Sequence, residues 1–329
     1  MSDDATQEER KEFLNLIEDG FISENKFKSA IKIFRKDPEI ILKATYTFPA
    51  AIHYASEDLQ NSKKFILKVL KENGLALEFV QKKYQSDPEL VLEAVKSRGM
   101  AIQYADDELK KNKNIILEAI KKGSGEAIQY ADDTLKNDRD IILNAVKSSG
   151  HALKHLNNKF KSDKEIVLAA ITRHGNAFMH ASQSLKDDFD FVLKAVIKNG
   201  DSIEYANEKF KNDRNLALEA VKSSPYSFDQ FSEIFKNDRD IALEAVKNGS
   251  NLKLVSDDFK DDPEIVLKAL KDGGEILLYA SDNLKNNRDI VLEAVKNDGI
   301  NYRYASENLK NDREIAIEAI KKCTCINAF

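Results

Sequence analysis

Four of the five histidines lie in two neighbouring stretches of the chain, at His151, His155, His174 and His180. Imidazole binds transition metals and changes charge near neutral pH, so this group could hold a metal or respond to pH. His155 and His180 replace a recurrent tyrosine, which predicts equivalent positions in layers about 10 Å apart. That spacing is too wide for easy chelation, and no cysteine or carboxylate completes a ligand set. We therefore expect no metal, and interpret the histidines as packing, surface or recognition residues.

No arrangement typical of catalysis appears in the sequence. It contains no glycine-rich phosphate loop, no Ser-His-Asp or Cys-His set in a plausible context, and no metal-ligand spacing. We expect no catalytic residues and no cofactor. An enzyme with an unrecognised site near the fifth and sixth repeats, where the histidines lie, remains one alternative.

These residues are positioned by a repeat of about 25 residues, represented by DPELVLEAVK at residues 87–96. Asp or Asn at its start can cap a helix, Pro fits the first helical position, and acidic residues favour the first turn. Apolar residues at offsets three, four, five, seven and eight predict one apolar helix face. The following glycines, such as Gly74 and Gly99, are expected to be left-handed C-terminal caps. The copies start in steps of 24 to 26 residues, at Asp37, Ser62, Asp87, Asn112, Asp138, Asp163, Asp188, Asp213, Asp238, Asp262, Asn287 and Asp312.

The second half of each repeat, AIQYA at residues 101–105, holds at most two helical turns and is followed by one capped turn. A long helix and a short helix cannot bury their apolar faces alone, but stacked copies can. We predict an all-α, right-handed-type α-solenoid of about eleven 25-residue helical hairpins. The expected divisions are an N-terminal helical cap at 1–36, the repeats at 37–311, and a partial terminal repeat with a tail at 312–329.

The composition restricts the class of partner and the compartment. Lys+Arg 51 and Asp+Glu 56 nearly balance, and the net charge of -5 provides no field that attracts nucleic acid or an anionic membrane. No apolar stretch suits a membrane span or a signal peptide. The two cysteines, Cys323 and Cys325, are too close for a normal disulfide, which favours a reducing, cytoplasmic location. We expect a soluble monomer without a membrane partner.

The string N-D-R-[ED]-[IV]-x-L-E-A-V-K, followed by G-x-x-[IL]-x-Y-A-[SD]-x-x-L-K, resembles the tandem-repeat family called domain of unknown function (DUF 4116). The match is carried best by residues 137–150, 212–222, 237–247, 286–304 and 311–320. The family is known mainly from protists and from bacteria that live inside them. The resemblance therefore implies a binding or effector-type protein, leaves secretion into a host cell open, and supplies no catalytic residues. The chain departs from the pattern at Phe48-Pro49, at Ser224-Pro225 and after Gly249.

Variation among the repeats indicates where a partner could bind. The residue before the recurrent tyrosine shares no chemistry from copy to copy, and its side chain should point outward from the short helix. We expect a protein or peptide partner along this row, as for a scaffold or adaptor. The candidate contacts in and beside the row are Met100, His151, His155, Met179, His180, Tyr226, Leu278 and Arg303.

A lysine recurs once per repeat and makes an RNA-binding helical-repeat protein the other alternative. The ladder comprises Lys110, Lys136, Lys161, Lys186, Lys211, Lys236, Lys260, Lys285 and Lys310. Acidic turns flank each of these lysines and would repel phosphates, so we expect solvated charge and no nucleic-acid partner. The recurrent tyrosines are expected to be framework residues whose hydroxyls reach a neighbour's backbone.

Overall fold

The computed structural model describes residues 6–18, 31 and 33–322. All regular elements of these residues are helices, and they recur as the predicted hairpins, which confirms the all-α class and the α-solenoid repeat. They form two compact units, Met1–Lys161 and Ser162–Phe329. Part of the predicted N-terminal cap, and the tail with Cys323 and Cys325, lie outside the described residues.

The first helix of each repeat begins at the predicted capping residue. Asp87, for example, accepts hydrogen bonds from the backbone N–H groups of Glu89 at 3.0 Å and Leu90 at 3.3 Å, which satisfies two donors of the first turn. The long helices are α1 Gln7–Glu18, α2 Pro38–Thr47, α3 Lys63–Glu72, α4 Pro88–Ser97, α5 Lys113–Lys122, α6 Arg139–Ser148, α7 Lys164–Ile171, α8 Phe189–Lys198, α9 Arg214–Ser223, α10 Arg239–Ala245, α11 Pro263–Leu270, α12 Arg288–Asn297 and α13 Arg313–Lys322.

The second helix of each repeat is a tight 3₁₀-helix, labelled η, instead of a short α-helix. Six residues make two turns of this helix, which matches the short apolar motif. These helices are η1 Pro49–Tyr54, η2 Gly74–Phe79, η3 Gly99–Tyr104, η4 Gly125–Tyr130, η5 Gly150–His155, η6 Gly175–His180, η7 Gly200–Tyr205, η8 Pro225–Gln230, η9 Gly249–Lys253, η10 Ile276–Tyr279 and η11 Gly299–Tyr304.

A closing turn of three to five residues then leads into the next long helix. These turns are Glu57–Asn61, Lys82–Gln85, Asp107–Lys110, Leu135–Asn137, Asn158–Lys161, Gln183–Lys186, Glu208–Asn212, Glu233–Lys236, Asp257–Lys260, Asp282–Lys285 and Glu307–Lys310. Backbone hydrogen bonds join the closing turns of adjacent repeats. The N–H of Ser306, for example, donates to the carbonyl of Lys285 at 2.9 Å.

Each unit has two layers, one of long helices and one of η helices. Consecutive long helices pack together from α1 to α6 and from α7 to α13, and consecutive η helices pack from η1 to η5 and from η6 to η11. The core lies between the layers. In α4 the residues at offsets three, four, seven and eight are fully buried, whereas Leu92 at offset five is half-buried. The apolar face is therefore narrower than the sequence pattern predicts.

The recurrent glycines are not left-handed caps, and that prediction is wrong. Among the described residues, only Gly273 and Gly274 have positive φ, at 82° and 80°. In most repeats an extended residue, such as Asn73, Arg98 or Ser149, precedes the η helix, and a glycine opens that helix. A Cβ on Gly74 would lie 2.0 Å from the carbonyl oxygen of Ala94, and one on Gly125 would lie 1.9 Å from that of Ala145. Glycine is needed because the backbones of adjacent repeats meet there.

Ion pairs join the starts of adjacent long helices. The cation at the first helical position of one repeat contacts the capping Asp of the next and, in several copies, an acid two residues further on, as Arg214 contacts Asp238 at 2.5 Å and Asp240 at 2.6 Å. The hydrogen bond from Arg239 lowers the pKa of Asp262 against the opposing effect of desolvation. The joints of this kind are Lys63–Asp87, Lys113–Asp138, Lys164–Asp188, Arg214–Asp238, Arg239–Asp262 and Arg288–Asp312, and Arg10, the fourth residue of α1, pairs with Asp37 in the same way.

Proline at the first helical position changes the cap of the next repeat. Pro38, Pro88 and Pro263 are uncharged. The capping residues of the repeats that follow them are also neutral: Ser62, Asn112 and Asn287. The caps that follow a Lys or Arg at this position are all Asp. A neutral cap still satisfies the first-turn N–H groups, as Asn112 does for Asn114 and Ile115. The first helical position and the next cap are thus matched in charge, except at Phe189, which carries no charge and is followed by the cap Asp213.

The close approach predicts that Gly125→Ala is costly. Its methyl group would meet backbone that cannot rotate away, so we expect a loss of at least about 3 kcal/mol in the free energy of unfolding. Gly274→Ala is the control, because open space surrounds that position and only the positive φ opposes alanine, at about 1–2 kcal/mol. Urea denaturation of both variants checks this, and an equal or larger loss for Gly274→Ala would contradict it.

The ionic joints predict a salt-dependent stability. Arg214→Ala removes contacts to two carboxylates of the next repeat, so its melting temperature should fall below that of the wild type in low salt. The difference should shrink in about 1 M NaCl, where charges are screened within about 3 Å. Lys222→Ala is the matched control, since its ion pair with Glu219 lies within one helix. Thermal melts that show the same loss for both variants would argue against an ionic joint.

Candidate functional site

The last residue of each η helix in the first unit carries a ring. These residues are Tyr54, Phe79, Tyr104, Tyr130 and His155, and all five are half-buried. In the second unit the series is interrupted, because Gln230 ends η8 and Leu254 follows η9. Since consecutive η helices pack side by side, the first unit presents one ring per repeat along its η layer.

Three of the recurrent tyrosines bond to side chains of the preceding repeat, and Tyr205 bonds to the adjacent Glu204, instead of to a neighbour's backbone as expected. Tyr130 donates to the side-chain oxygen of Gln103 at 3.2 Å, and Tyr304 donates to the carboxylate of Glu275. Tyr104 donates to Glu78; burial and this hydrogen bond together raise the pKa of Tyr104. The variable residue before the ring is therefore used, in some repeats, to hold the ring of the next repeat.

The candidate contacts predicted from the sequence all lie on the η layer. Met179 is 46% exposed, Leu278 is 40% exposed, and Arg303 is exposed, each directly before a ring position. Tyr226, near the start of η8, is 72% exposed. Met100 at the equivalent position of η3 is half-buried.

These candidates do not form one cluster. Leu278 and Arg303 lie on the neighbouring helices η10 and η11, whereas η7 lies between the helices of Met179 and Tyr226. In the first unit, η4 separates Met100 from His151 and His155. The structure thus supports a face with spaced contacts, and their part in binding stays a prediction.

The histidines divide between the two units. His151 and His155 lie on η5, and His174 and His180 lie at the two ends of η6. Within residues 6–18, 31 and 33–322, no three His, Cys, Asp or Glu side chains are grouped to hold a metal ion. Desolvation by burial lowers the pKa of His155, and the negative charge of Glu126 opposes this only in part.

The lysine ladder is paired within its own closing turns. Seven of its members contact an acid three residues earlier: Lys110, Lys136, Lys211, Lys236, Lys260, Lys285 and Lys310. The lysine side chains are only 15% to 30% exposed, whereas their acidic partners are 81% to 102% exposed. A phosphate would have to displace an acid at each of these lysines.

The ladder position also caps the η helix. The Nζ atom of Lys186 donates to the carbonyl of Met179 at 2.7 Å, and burial lowers the pKa of this lysine. Glutamine does the same at the equivalent position, since Gln60 donates to His53 and Gln85 donates to Glu78. A hydrogen-bond donor, rather than a charge, is what these three repeats share.

A groove that the sequence analysis did not predict lies across η1, η2 and η3. It encloses about 320 Å³, and apolar residues and rings line it: Phe48, Pro49, Ala50, Ala51, Tyr54, Leu75, Phe79 and Tyr104, with Thr47 and Glu78. A second, polar cavity of about 470 Å³ adjoins it, because Glu78 and Tyr104 line both. The departure at Phe48-Pro49 was the available signal, since it places two apolar residues where other repeats have a polar residue and glycine.

No helix of the described residues is long and apolar enough to cross a bilayer. The family model described as "Domain of unknown function (DUF4116)" matches residues 37–85, 87–136, 122–161, 163–211, 188–236, 213–260, 238–285, 262–307 and 287–329. No curated protein and no solved structure matches the chain.

The partial burial of His155 predicts a pH effect on stability. Its pKa in the folded chain lies below the ordinary pKa of histidine. Between the folded and the unfolded pKa the unfolded chain binds more protons, so stability falls as the pH falls. Histidine NMR titration should place the His155 pKa below 6.5. His155→Tyr, which restores the recurrent residue, should lose less stability over the same pH range, and an identical pH profile would contradict the assignment.

Proposed function

Because the chain belongs to the DUF4116 tandem-repeat family, whose function is unknown, we propose from its geometry that it is a non-enzymatic scaffold or adaptor. In this proposal, protein or peptide partners bind to the exposed faces of the η layers. The effector-type role and the cytoplasmic location belong to the same proposal; family resemblance and cysteine usage support them.

The exposed apolar residues of the second unit carry this proposal. The core positions of the long helices are near 0% exposed, whereas Met179, Tyr226 and Leu278 are 40% to 72% exposed on η helices. The second unit also exposes Ile197, Ile317 and Ile320 on long helices and Ile234 on a closing turn, but the η helices hold its exposed methionine and tyrosine. Exposed aromatic and methionine side chains on a rigid surface are typical anchors of protein interfaces. Their spacing over several repeats suits an extended ligand that contacts successive η helices.

The titratable groups favour binding over catalysis. The shifted carboxylates Asp238, Asp262 and Asp312 each cap a helix and pair with an arginine of the preceding repeat. Their charges stabilise the frame and are not directed into a cleft. The internal pairing of the lysine ladder likewise favours a protein partner over RNA.

Two substitutions on the η layer test the proposal. Peptides selected from a random display library against the full chain should bind more weakly after Met179→Glu or Tyr226→Glu, by about tenfold for a lost apolar anchor. Both side chains are exposed, so the fold should persist. Isothermal titration calorimetry measures the affinities.

Ile197→Glu is the matched control, since Ile197 is 53% exposed but lies on the long helix α8. It should bind like the wild type. If no peptide is enriched, or if all three variants bind every selected peptide equally, the η layer is not the binding face.

A further inference from the structure

The groove of the first unit has an aromatic side that repeats with the helices. Tyr54, Phe79 and Tyr104 occupy the same position in three successive repeats, and all three line the groove. The ring of His53 packs edge-on against Phe79, with ring centroids 5.4 Å apart. The rings are half-buried, so each keeps one part fixed in the frame and another part open to a ligand.

The geometry of the groove selects among the ways a peptide can bind. Strand addition requires a free sheet edge, and the groove walls are helices whose backbone groups are used internally. An amphipathic helix is about 10 Å wide and needs a long apolar channel. A polyproline II helix needs neither, because it binds shallow grooves lined by aromatic rings. The groove therefore fits the third class best.

The period of the rings also matches that class. Polyproline II has three residues per turn and rises about 3.1 Å per residue, so the same face returns about every 9.3 Å. Packed helices lie about 8–10 Å apart, which sets the spacing of rings carried by successive η helices. Prolines three residues apart would thus meet Tyr54, Phe79 and Tyr104 in turn.

The charges at the end of the groove favour a basic residue beside the prolines. Glu78 is exposed, and its carboxylate is oriented by the hydroxyl of Tyr104. The adjoining polar cavity is lined by the carboxylates of Glu78, Asp106 and Asp107 and by the lysines Lys82 and Lys110, and Lys110 is paired with Asp107 at 3.0 Å. The carboxylates therefore outnumber the lysines. An arginine or lysine of the ligand would reach Glu78 from the groove, whereas the phosphates of a nucleic acid would be repelled there.

We propose that this groove binds a proline-rich segment in the polyproline II conformation, with its prolines against Tyr54, Phe79 and Tyr104 and a flanking Arg or Lys against Glu78. The proposal rests on the proposed peptide-binding function and names the ligand class of the first unit. It places the site on η1 to η3, apart from the exposed anchors of the second unit.

A short fluorescein-labelled oligoproline that ends in arginine tests the proposal by fluorescence anisotropy with the full chain. It should bind more tightly than a Gly-Ser peptide ending in arginine and than an oligoproline ending in glutamate. Phe79→Leu, which keeps an apolar side chain without the ring, should weaken binding by about tenfold. Glu78→Lys should weaken it by at least about threefold, in a salt-dependent manner.

Glu204→Lys is the matched control. Glu204 also precedes a ring and bonds to its tyrosine, but it lies in the second unit, so affinity for oligoproline should not change. Circular dichroism melts confirm that each variant is folded. Equal binding by wild type, Phe79→Leu and Glu78→Lys would overturn the proposal, and so would tighter binding of a labelled oligothymidylate.

The result also separates this proposal from the general one. If oligoproline fails to bind while library peptides bind the wild type and lose affinity on Met179→Glu or Tyr226→Glu, the groove assignment is wrong and the peptide-binding function stands. If neither kind of peptide binds, both proposals are wrong.

Discussion

The close approach of one η helix to the end of the next long helix is the constraint on which each unit depends. At Gly99 a side chain would lie 2.1 Å from the backbone nitrogen of Gly123, and at Gly200 it would lie 2.2 Å from the carbonyl oxygen of Ala220. Bare backbone on one side and alanine on the other let the layers come close enough to bury their apolar residues completely. The same contact sets the distance between repeats, and therefore the distance between the rings that the η helices carry.

A second contact keeps successive long helices in register at their other end. The capping Asp does two tasks, because it satisfies the first-turn N–H groups of its own helix and receives the cation of the preceding repeat, as Asp138 receives Lys113 at 2.7 Å. These exposed ion pairs are individually weak. They stabilise the stack because they recur. Each ion pair favours the same offset between neighbouring long helices and disfavours a shift of one helix along the other.

The sequence predicts the frame well and the surface poorly, for physical reasons. Capping residues, the apolar stripe and the 24 to 26 residue step depend on local rules, so the helices and the repeat are predictable. The role of Gly125 is not, because a left-handed cap and a close approach both require glycine at the same place. The match between Pro88 and the neutral cap Asn112 was readable, but only by comparing adjacent copies. The groove depends on how the side chains of η1 to η3 pack against one another. Rules for local structure do not predict where such packing leaves a cavity.

Where proline occupies the first helical position, that position forms no ion pair with the next long helix. Ionic strength therefore decides which contacts between long helices of a unit are the weakest. At low salt the joints that contain a Lys or Arg resist separation more strongly. A pulling force would therefore first separate the helices whose first position has no such cation, at Pro38, Pro88, Phe189 and Pro263, from the next long helix. At high salt that order fades, because the neutral caps Ser62, Asn112 and Asn287 do not respond to screening. In a repeat protein of this design, the residue at the first position of one long helix can therefore determine which repeat separates first under force.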